Sequence, residues 1–521
     1  MSGRSLSTPL VVALSCVGLA ALFAVSLAQG LGRELIHDEH QFVAPGALLV
    51  SEGLLPYVDY PYFHMPLLAF LYGGAFIFTD HLLLGARLVS VLFGWLLLIA
   101  IFRSSWRVLS DWGPWARGLA ALSGCCLLFF NPLFLQAHGL TWNHDGGVFF
   151  ATLGMLCLCR TPGRGRESRS LLLAGLCLAF ATGIRLSYAP LAIPFALLAF
   201  RMGEAGQGMS RVLRLALGGV IGSLPVFFLM AAAPTDFFFG NLRYPLLNTE
   251  WYASEGNTTA MTLGGKLAFL GEQVMDKPPT WALLVATFAG LLAWLVSRRS
   301  SGENVKATLE RAAPGHPSLA GAAFLCFPFA LAGAFAPSPS WPQYYVAVIP
   351  FLVLGSVGGL ASLACQRPLA RVGVALLVAA GCLAVLSGRD RLQPVSVLAD
   401  RSTWEPLKVH AVGEQIGERV GAGLVFSETP IYPLEGGARI YDFHVVGPFT
   451  FRTGHLLSKE ERLERGVYAF GELPMILEDE PPAAILTGAD GWMARPTKQY
   501  ARREEFLPFA LKNGFILFYR P

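Results

Sequence analysis

Charge is scarce in this chain. Only 14% of its 521 residues are Asp, Glu, Lys or Arg, where a soluble protein carries about 25%, so an ordinary soluble domain is excluded. The net charge of +4 is too small to call for a nucleic-acid partner. Lysine is rare beside arginine in an Ala-, Gly- and Leu-rich sequence, a bias that points to a GC-rich bacterial genome. The nine cysteines (Cys16, Cys125, Cys126, Cys157, Cys159, Cys177, Cys326, Cys365 and Cys382) lie in or beside apolar segments and form no CxxC pair. A disulfide framework is therefore excluded, and Cys157 and Cys159 read as helix packing. There is no P-loop, no GxGxxG fingerprint, no internal repeat and no HxxxH spacing.

What the chain has in abundance is apolar residues, 54% of the total, with a mean hydropathy of +0.52. They gather in membrane-length runs separated by short polar loops. Eleven spans are expected, at 8–30, 82–102, 118–136, 146–159, 171–184, 186–200, 215–233, 280–297, 318–336, 343–364 and 372–387. The first is longer than a signal-peptide core and reads as an uncleaved anchor. Pro66 to Phe78 is apolar but too short to cross, and reads as an interfacial or re-entrant helix.

Arginine placement tests this count independently. Arg103, Arg107 and Arg117, then Arg160, Arg164, Arg166 and Arg169, then Arg201, Arg211 and Arg214 fall in alternate loops. Arg298, Arg299, Lys306 and Arg311, then Arg367 and Arg371, continue the pattern, while the loops at 137–145 and 337–342 carry no Lys or Arg. By the positive-inside rule the N-terminus is cytoplasmic and, the count being odd, the C-terminus is outside. Ala181 to Arg185 breaks 171–200 into two short halves, an arrangement that lines a cavity more often than it faces lipid. From Arg389 the chain turns charged and alternates helix-like with strand-like pieces: a helix over Glu405 to Val420, and strands at 423–427, 439–441, 483–487 and 515–519. The expected fold is an α-helical polytopic membrane domain over 1–388 followed by a small extracytoplasmic α/β domain over 389–521.

The outward loops collect polar groups at segment ends. The first holds His37, Asp38, Glu39, His40, Asp59, Tyr62 and His64; the second holds His138, Asn143, His144 and Asp145. Arg185 and Tyr188 sit at the helix break, Arg243 and Lys266 in the long loop before the eighth span, and Tyr344 and Tyr345 at the tenth. Acids and bases on one membrane face suit a reaction between a lipid-borne phosphate and a nucleophile from water. A carboxylate takes the nucleophile's proton, and Arg, His or Lys hold the phosphate; Arg185, His64, Arg243 and Lys266 are the candidates. Asp59, Tyr62, His144, Tyr188 and Tyr344 are candidates for holding a sugar or acceptor. Plainer readings stand beside these: Asp145 as a helix N-cap, Arg185 as a snorkelling anchor, the tyrosines near 344 as an aromatic belt. His37, His40 and His144 could instead ligate a divalent metal, and a secondary transporter or a metal-dependent membrane hydrolase or phosphotransferase remains open.

With these residues in place, the chain resembles the GT-C superfamily of membrane glycosyltransferases, in the branch holding protein O-mannosyltransferases and lipid A aminoarabinose transferases. The resemblance is carried by Asp38-Glu39 after the first span, GALLVSEGLLPYVDYPYFHMPLLAFLYG, Arg87 entering the second span, Asp145 opening the fourth, GIRLSYAPLAIP, and WPQYYVAVIPFLVLG. It covers about residues 8–365. It implies an inverting transfer of a sugar from a polyprenyl-phosphate donor to an extracytoplasmic acceptor at a bacterial cytoplasmic membrane. By resemblance Asp38 is the catalytic base, Glu39 assists it, Asp145 is the second acid and Arg185 contacts the lipid phosphate. Relatives often have Lys shortly before the Pro of the interfacial helix. Here His64-Met65-Pro66 stands there, and a phosphate contact through His64 would depend on its protonation.

Overall fold

The apolar runs fold as helices because no other spanning structure satisfies its own backbone in lipid without closing a barrel. The computed structural model describes residues 7–159, 167–202, 206–257, 260–300, 318–363, 367–488 and 493–520. Arg160, Arg164, Arg166, Lys306, Arg311 and Cys365 lie outside the described residues. Helix α1 (Ser7–Gly32) leads through a single 3₁₀ turn (His37–Glu39) into α2 (His40–Ser51). After the 52–66 loop come α3 (Leu67–Phe76), α4 (Leu82–Val108), α5 (Pro114–Phe129), α6 (Pro132–Ala137), α7 (Asp145–Leu158), α8 (Glu167–Ile184) and α9 (Ala192–Arg201). Helix α10 (Gly208–Ala232) continues through α11 (Pro234–Phe238) and a π-helical turn (Phe239–Arg243) into α12 (Tyr244–Ser254). Then follow α13 (Leu263–Met275), α14 (Pro278–Ser300), α15 (Leu319–Phe335), α16 (Ile349–Ala361) and α17 (Arg367–Gly388).

Each of the eleven expected spans falls on helix. Among the described residues seven helical stretches are long and apolar enough to cross a membrane, while the expected spans at 118–136, 146–159, 186–200 and 318–336 are helices of 10–17 residues. The third is broken at Asn131, whose side chain accepts the Leu133 N–H at 3.0 Å as Pro132 starts α6. The expected interfacial segment is α3, ten residues long. Helices α8 and α10 pack backbone to backbone: a Cβ at Gly175 would lie 1.9 Å from the Leu215 carbonyl oxygen, and one at Gly218 2.1 Å from that of Leu172. Small residues permit that approach where lipid supplies no hydrophobic drive.

Beyond Gly388, α18 (Glu405–Val420), α19 (Ile431–Glu435), α20 (Phe449–Arg452) and α21 (Lys459–Arg465) surround a five-stranded sheet of order β2-β1-β3-β5-β4. Its strands are β1 (Leu424–Ser427), β2 (Arg439–Ile440), β3 (Ala484–Thr487), β4 (Leu507–Ala510) and β5 (Ile516–Tyr519). β1 runs parallel to β2 and β3, and β5 antiparallel to β3 and β4. The pleat divides the sheet between two cores. Val425, Ala484, Leu486 and Leu517 join the large core continuous with the membrane helices, and Phe426, Ile485 and Phe518 face a separate cluster. One carboxylate pins the two parts together. Glu435 accepts the Leu83 N–H at the start of α4 at 2.8 Å and pairs with His410 of α18 at 2.7 Å.

Candidate active site

The turn that follows α1 is held by its second acid. Glu39 is fully buried and bound by Arg87 of α4 through two contacts, Nε to Oε2 at 3.0 Å and Nη2 to Oε1 at 2.6 Å. The backbone N–H groups of Ile36 and Thr141 donate to the same carboxylate at 3.1 and 3.0 Å. Arg87 spends its other donors on the carbonyls of Gly30, Arg33 and Glu34. Every strong acceptor position of Glu39 is thus engaged, which departs from the expected assisting role: the residue ties the turn to α4 and to the 138–145 loop.

Asp38, the neighbouring residue, is partly exposed. Its side chain is 30% exposed and lies 3.1 Å from His37 Nε2. Desolvation raises the Asp38 pKa, but the hydrogen bond and charge of His37, followed by Arg452 and His64, outweigh it and leave the group below its ordinary value. Asp38 is a carboxylate at neutral pH.

Asp145 is sequestered too. It opens α7, yet its oxygens turn away from its own helix to His138 Nδ1 at 3.2 and 3.1 Å and to the Gly139 N–H at 2.9 Å. His138 Nε2 meets Ser26 Oγ of α1 at 3.0 Å. All three residues are buried, so this chain braces α1, the 138–145 loop and α7. Neither the N-cap reading nor an accessible second acid describes it.

Arg185 stands at the break between α8 and the 186–191 turn, as expected. Its Nη1 donates to Asn143 Oδ1 at 2.9 Å and lies 3.2 Å from His144 Nε2; its Nε donates to Ser187 Oγ at 2.9 Å. The guanidinium lies 4.5 Å from the Tyr344 ring centroid, and that ring is 6.3 Å from His144. Each of these partners is neutral, since burial and then the Arg185 charge drive His144 well below its ordinary pKa. Tyr188, 1% exposed, packs against Gly147 beneath this group.

His64 joins the cluster from the 52–66 loop. Its Nε2 meets Gln41 Oε1 at 2.7 Å and its ring faces Phe42 and Tyr62. Burial, with Arg185 acting in the same direction, lowers His64 to about 4. It is neutral at physiological pH, so the charge-dependent contact expected from the sequence has no support in this environment. Tyr62 is 1% exposed, and its hydroxyl has no hydrogen-bond partner among the described residues. The loop is clamped by the π-helical turn. Asn241 donates to Tyr57 Oη at 3.0 Å, Tyr57 in turn donates to the His64 carbonyl, and Tyr57 adopts φ = 67°. A positive φ at a bulky residue and a π-turn are both costly features that collect at functional sites.

Three expected residues lie elsewhere. Arg243 pairs with Glu461 of α21 at 2.8 Å and is half-exposed. Lys266 donates to the carbonyls of Phe335 and Pro337 at 2.6 and 2.8 Å, so it ties α13 to the end of α15. Asp59 accepts the Leu55 N–H at 2.7 Å and closes its own turn. The proposed metal ligands do not converge: His37 pairs with Asp38, His40 is buried with Nδ1 3.4 Å from the Ile431 N, and His144 abuts a guanidinium. Among the described residues no group of three or more His, Cys, Asp or Glu could hold a metal, and a cation is a poor neighbour for one. Arg452, which reaches the site from α20, was not anticipated; nothing in PFTFRTGH marks it.

The family model for glycosyltransferase family 87 matches residues 57–313. In three dimensions the chain is similar to ArnT from Cupriavidus metallidurans bound to undecaprenyl phosphate, with 14% identity, 97% of each chain covered and a TM-score of 0.56. The apo state of that protein is similar with 14% identity, 97% of each chain covered and a TM-score of 0.52. No curated protein matches by sequence. Over residues 57–313 the chain is similar to glycosyltransferases of family 87, and among the described residues seven helical stretches are long and apolar enough to cross a membrane. That match runs from the loop carrying Tyr57 and His64, past Asp145 and Arg185, to residue 313, just under half of the chain.

Proposed function

We propose that this chain is a glycosyltransferase that takes its sugar from a polyprenyl-phosphate donor and passes it, with inversion, to a hydroxyl of an extracytoplasmic acceptor at a bacterial cytoplasmic membrane. One observation carries the reading: among the described residues Arg185, half-buried at a helix break, hydrogen-bonds and packs on neutral groups, and it shares the neighbours His64 and Tyr344 with the ionised Asp38. A cation that hydrogen-bonds no carboxylate among the described residues, at the edge of the membrane helices, suits a lipid phosphate, which a guanidinium grips with two parallel hydrogen bonds. The similar fold of the Cupriavidus ArnT, captured with undecaprenyl phosphate bound, lends support to a lipid of that class. Loop arginines support the outward placement of the site.

The step balances as a single displacement. The acceptor hydroxyl oxygen bonds to the anomeric carbon as the bond from that carbon to the phosphate oxygen breaks. The hydroxyl proton passes to the Asp38 carboxylate, and the bonding pair leaves with polyprenyl phosphate, whose new charge Arg185 faces. Glu39, Arg87 and the Asp145–His138–Ser26 chain hold the two ends of the site in register. Tyr62, Tyr188, His144 and Tyr344 bring hydrogen-bonding groups and ring faces to the sugar.

The test is transfer in proteoliposomes from synthetic polyprenyl-phosphate sugars, compared with the matching nucleotide sugars. Product is expected from the lipid donors alone, with donor KM raised at least about tenfold by Arg185→Ala, the loss of roughly 1.4 kcal/mol of donor binding. Transfer from nucleotide sugars only, or an unchanged donor KM in that variant, contradicts the proposal.

A further inference from the structure

Arg452 ends α20, a single helical turn contributed by the segment beyond Gly388. It is 7% exposed. Its guanidinium lies 4.0 Å from the ring centroid of Phe449 and 4.8 Å from that of Trp251, and Nη1 donates to Tyr252 Oη at 3.3 Å. Phe449 stacks at 6.2 Å on His37, the residue hydrogen-bonded to Asp38, and its carbonyl accepts the Tyr244 hydroxyl at 2.8 Å. Tyr244 stacks in turn on Phe63, at 3.6 Å, in the loop that carries His64. A buried guanidinium is costly unless its charge is used. Here α12 and α20, distant in sequence, hold one against the Phe449 ring that stacks on His37, the partner of Asp38.

We propose that Arg452 is a positioning residue for sugar transfer, a second guanidinium brought by the C-terminal segment that acts on Asp38 through the Phe449 ring and the His37 stacked on it. The inference rests on Asp38 being the base. Charge balance supports the pairing. Before transfer, Asp38 and the donor phosphodiester carry one negative charge each, against Arg185 and Arg452. After transfer the proton rests on Asp38 and the departing phosphomonoester carries two, so the same two cations still balance the site. With Arg185 alone, a net negative charge would sit in a desolvated cluster at every stage.

His37 of the same turn contacts Asp38 directly, and the groups whose charge acts on Asp38 or is acted on by it come from other elements: His40 from α2, His64 from the 52–66 loop, Tyr344 from the 342–348 turn and Arg452 from α20. Burial lowers His40 to about 3 and His64 to about 4, so both are neutral near pH 7. Among these groups Arg452 is a permanent cation.

Two measurements decide the matter. In Asp38→Cys, the alkylation rate at position 38 against pH, followed by peptide mass spectrometry, reports the thiol pKa without any need for activity. Adding Arg452→Gln should raise that pKa by about one unit, and Arg452→Lys should keep it near its starting value; equal values in all three overturn the proposal. In the transfer assay, Arg452→Gln should move the acid limb of kcat/KM to higher pH and lower kcat, with donor KM changed less than about twofold. Arg452→Lys should restore the limb, and Arg452→Met serves as the neutral variant if Gln folds poorly. A limb that stays in place while activity falls assigns Arg452 to packing and overturns the proposal. Failure of wild-type protein to use any lipid donor would strike the functional reading instead, and the thiol titration would still decide the role of Arg452.

Discussion

Glu39→Gln separates the two acids of the first loop. Gln has nearly the same shape, but it leaves the Arg87 guanidinium, 0% exposed, with no anionic partner. Breaking a buried ion pair by neutralising one member costs about 3–5 kcal/mol, because a buried charge is left uncompensated. At Glu39 the loss includes two charge-assisted hydrogen bonds and weakens two more from the Ile36 and Thr141 backbones. The variant should therefore unfold in detergent well below wild type, with activity lost in proportion to the folded fraction. Removing the stranded charge as well, in Glu39→Gln/Arg87→Met, should recover part of the stability; the carbonyls of Gly30, Arg33 and Glu34 would then lack their donor, so recovery stays incomplete. Thermal unfolding followed by intrinsic fluorescence, with transfer rates normalised to folded protein, provides both readings. A Glu39→Gln protein that melts like wild type but loses more than about a hundredfold in kcat, about 2.7 kcal/mol of barrier, would refute the structural assignment and return Glu39 to the chemistry.

Other expectations follow from single contacts. Arg185→Lys keeps the charge but loses the planar fork, so partial activity with raised donor KM is expected where Arg185→Ala has little; kinetics against donor concentration checks this. A Cβ at Gly240 would lie 2.0 Å from the Tyr62 carbonyl oxygen, so Gly240→Ala should displace the loop carrying Tyr62 and His64 and weaken donor or acceptor binding severalfold. The hydrogen bond to Glu435 raises the His410 pKa. Its contribution to docking α18 on α4 is then fully present below the ordinary value of about 6.5 and lost as pH rises through the raised one. Unfolding temperature should fall with pH across that window in wild type and not in His410→Gln.

Much of the fold was legible because lipid imposes simple rules. Apolar run length, loop arginines and the break at Ala181 to Arg185 located all eleven helical segments, and the amphipathic stretch Glu405–Val420 became α18 with those bounds. The strand β4 escaped because it is an edge strand containing Pro508 with little burial, so its sequence lacks the alternation that marks a half-buried strand. Among the candidate residues, position along a helix was what the sequence made legible: Asp38 lies just past α1, Arg185 at the break and Tyr344 before α16. Sequence could not tell an acid that faces solvent from one that is paired, since Glu39 and Asp145 are committed by Arg87 and His138, 48 and 7 residues away. Long-loop cations were misplaced for the same reason. Arg243 and Lys266 found an acid in α21 and two backbone carbonyls, partners that only the folded chain brings near.

The central claim is that Asp38 accepts the acceptor's proton as the sugar leaves a lipid phosphate. The most direct measurement is single-turnover transfer of a radiolabelled sugar from polyprenyl phosphate in proteoliposomes, comparing wild type with Asp38→Asn at matched folded protein. The substituted amide cannot take a proton. The account predicts product from wild type and a rate at least about a thousandfold lower in Asp38→Asn, about 4 kcal/mol of barrier, with donor still bound. Transfer by folded Asp38→Asn within about tenfold of wild type would contradict it.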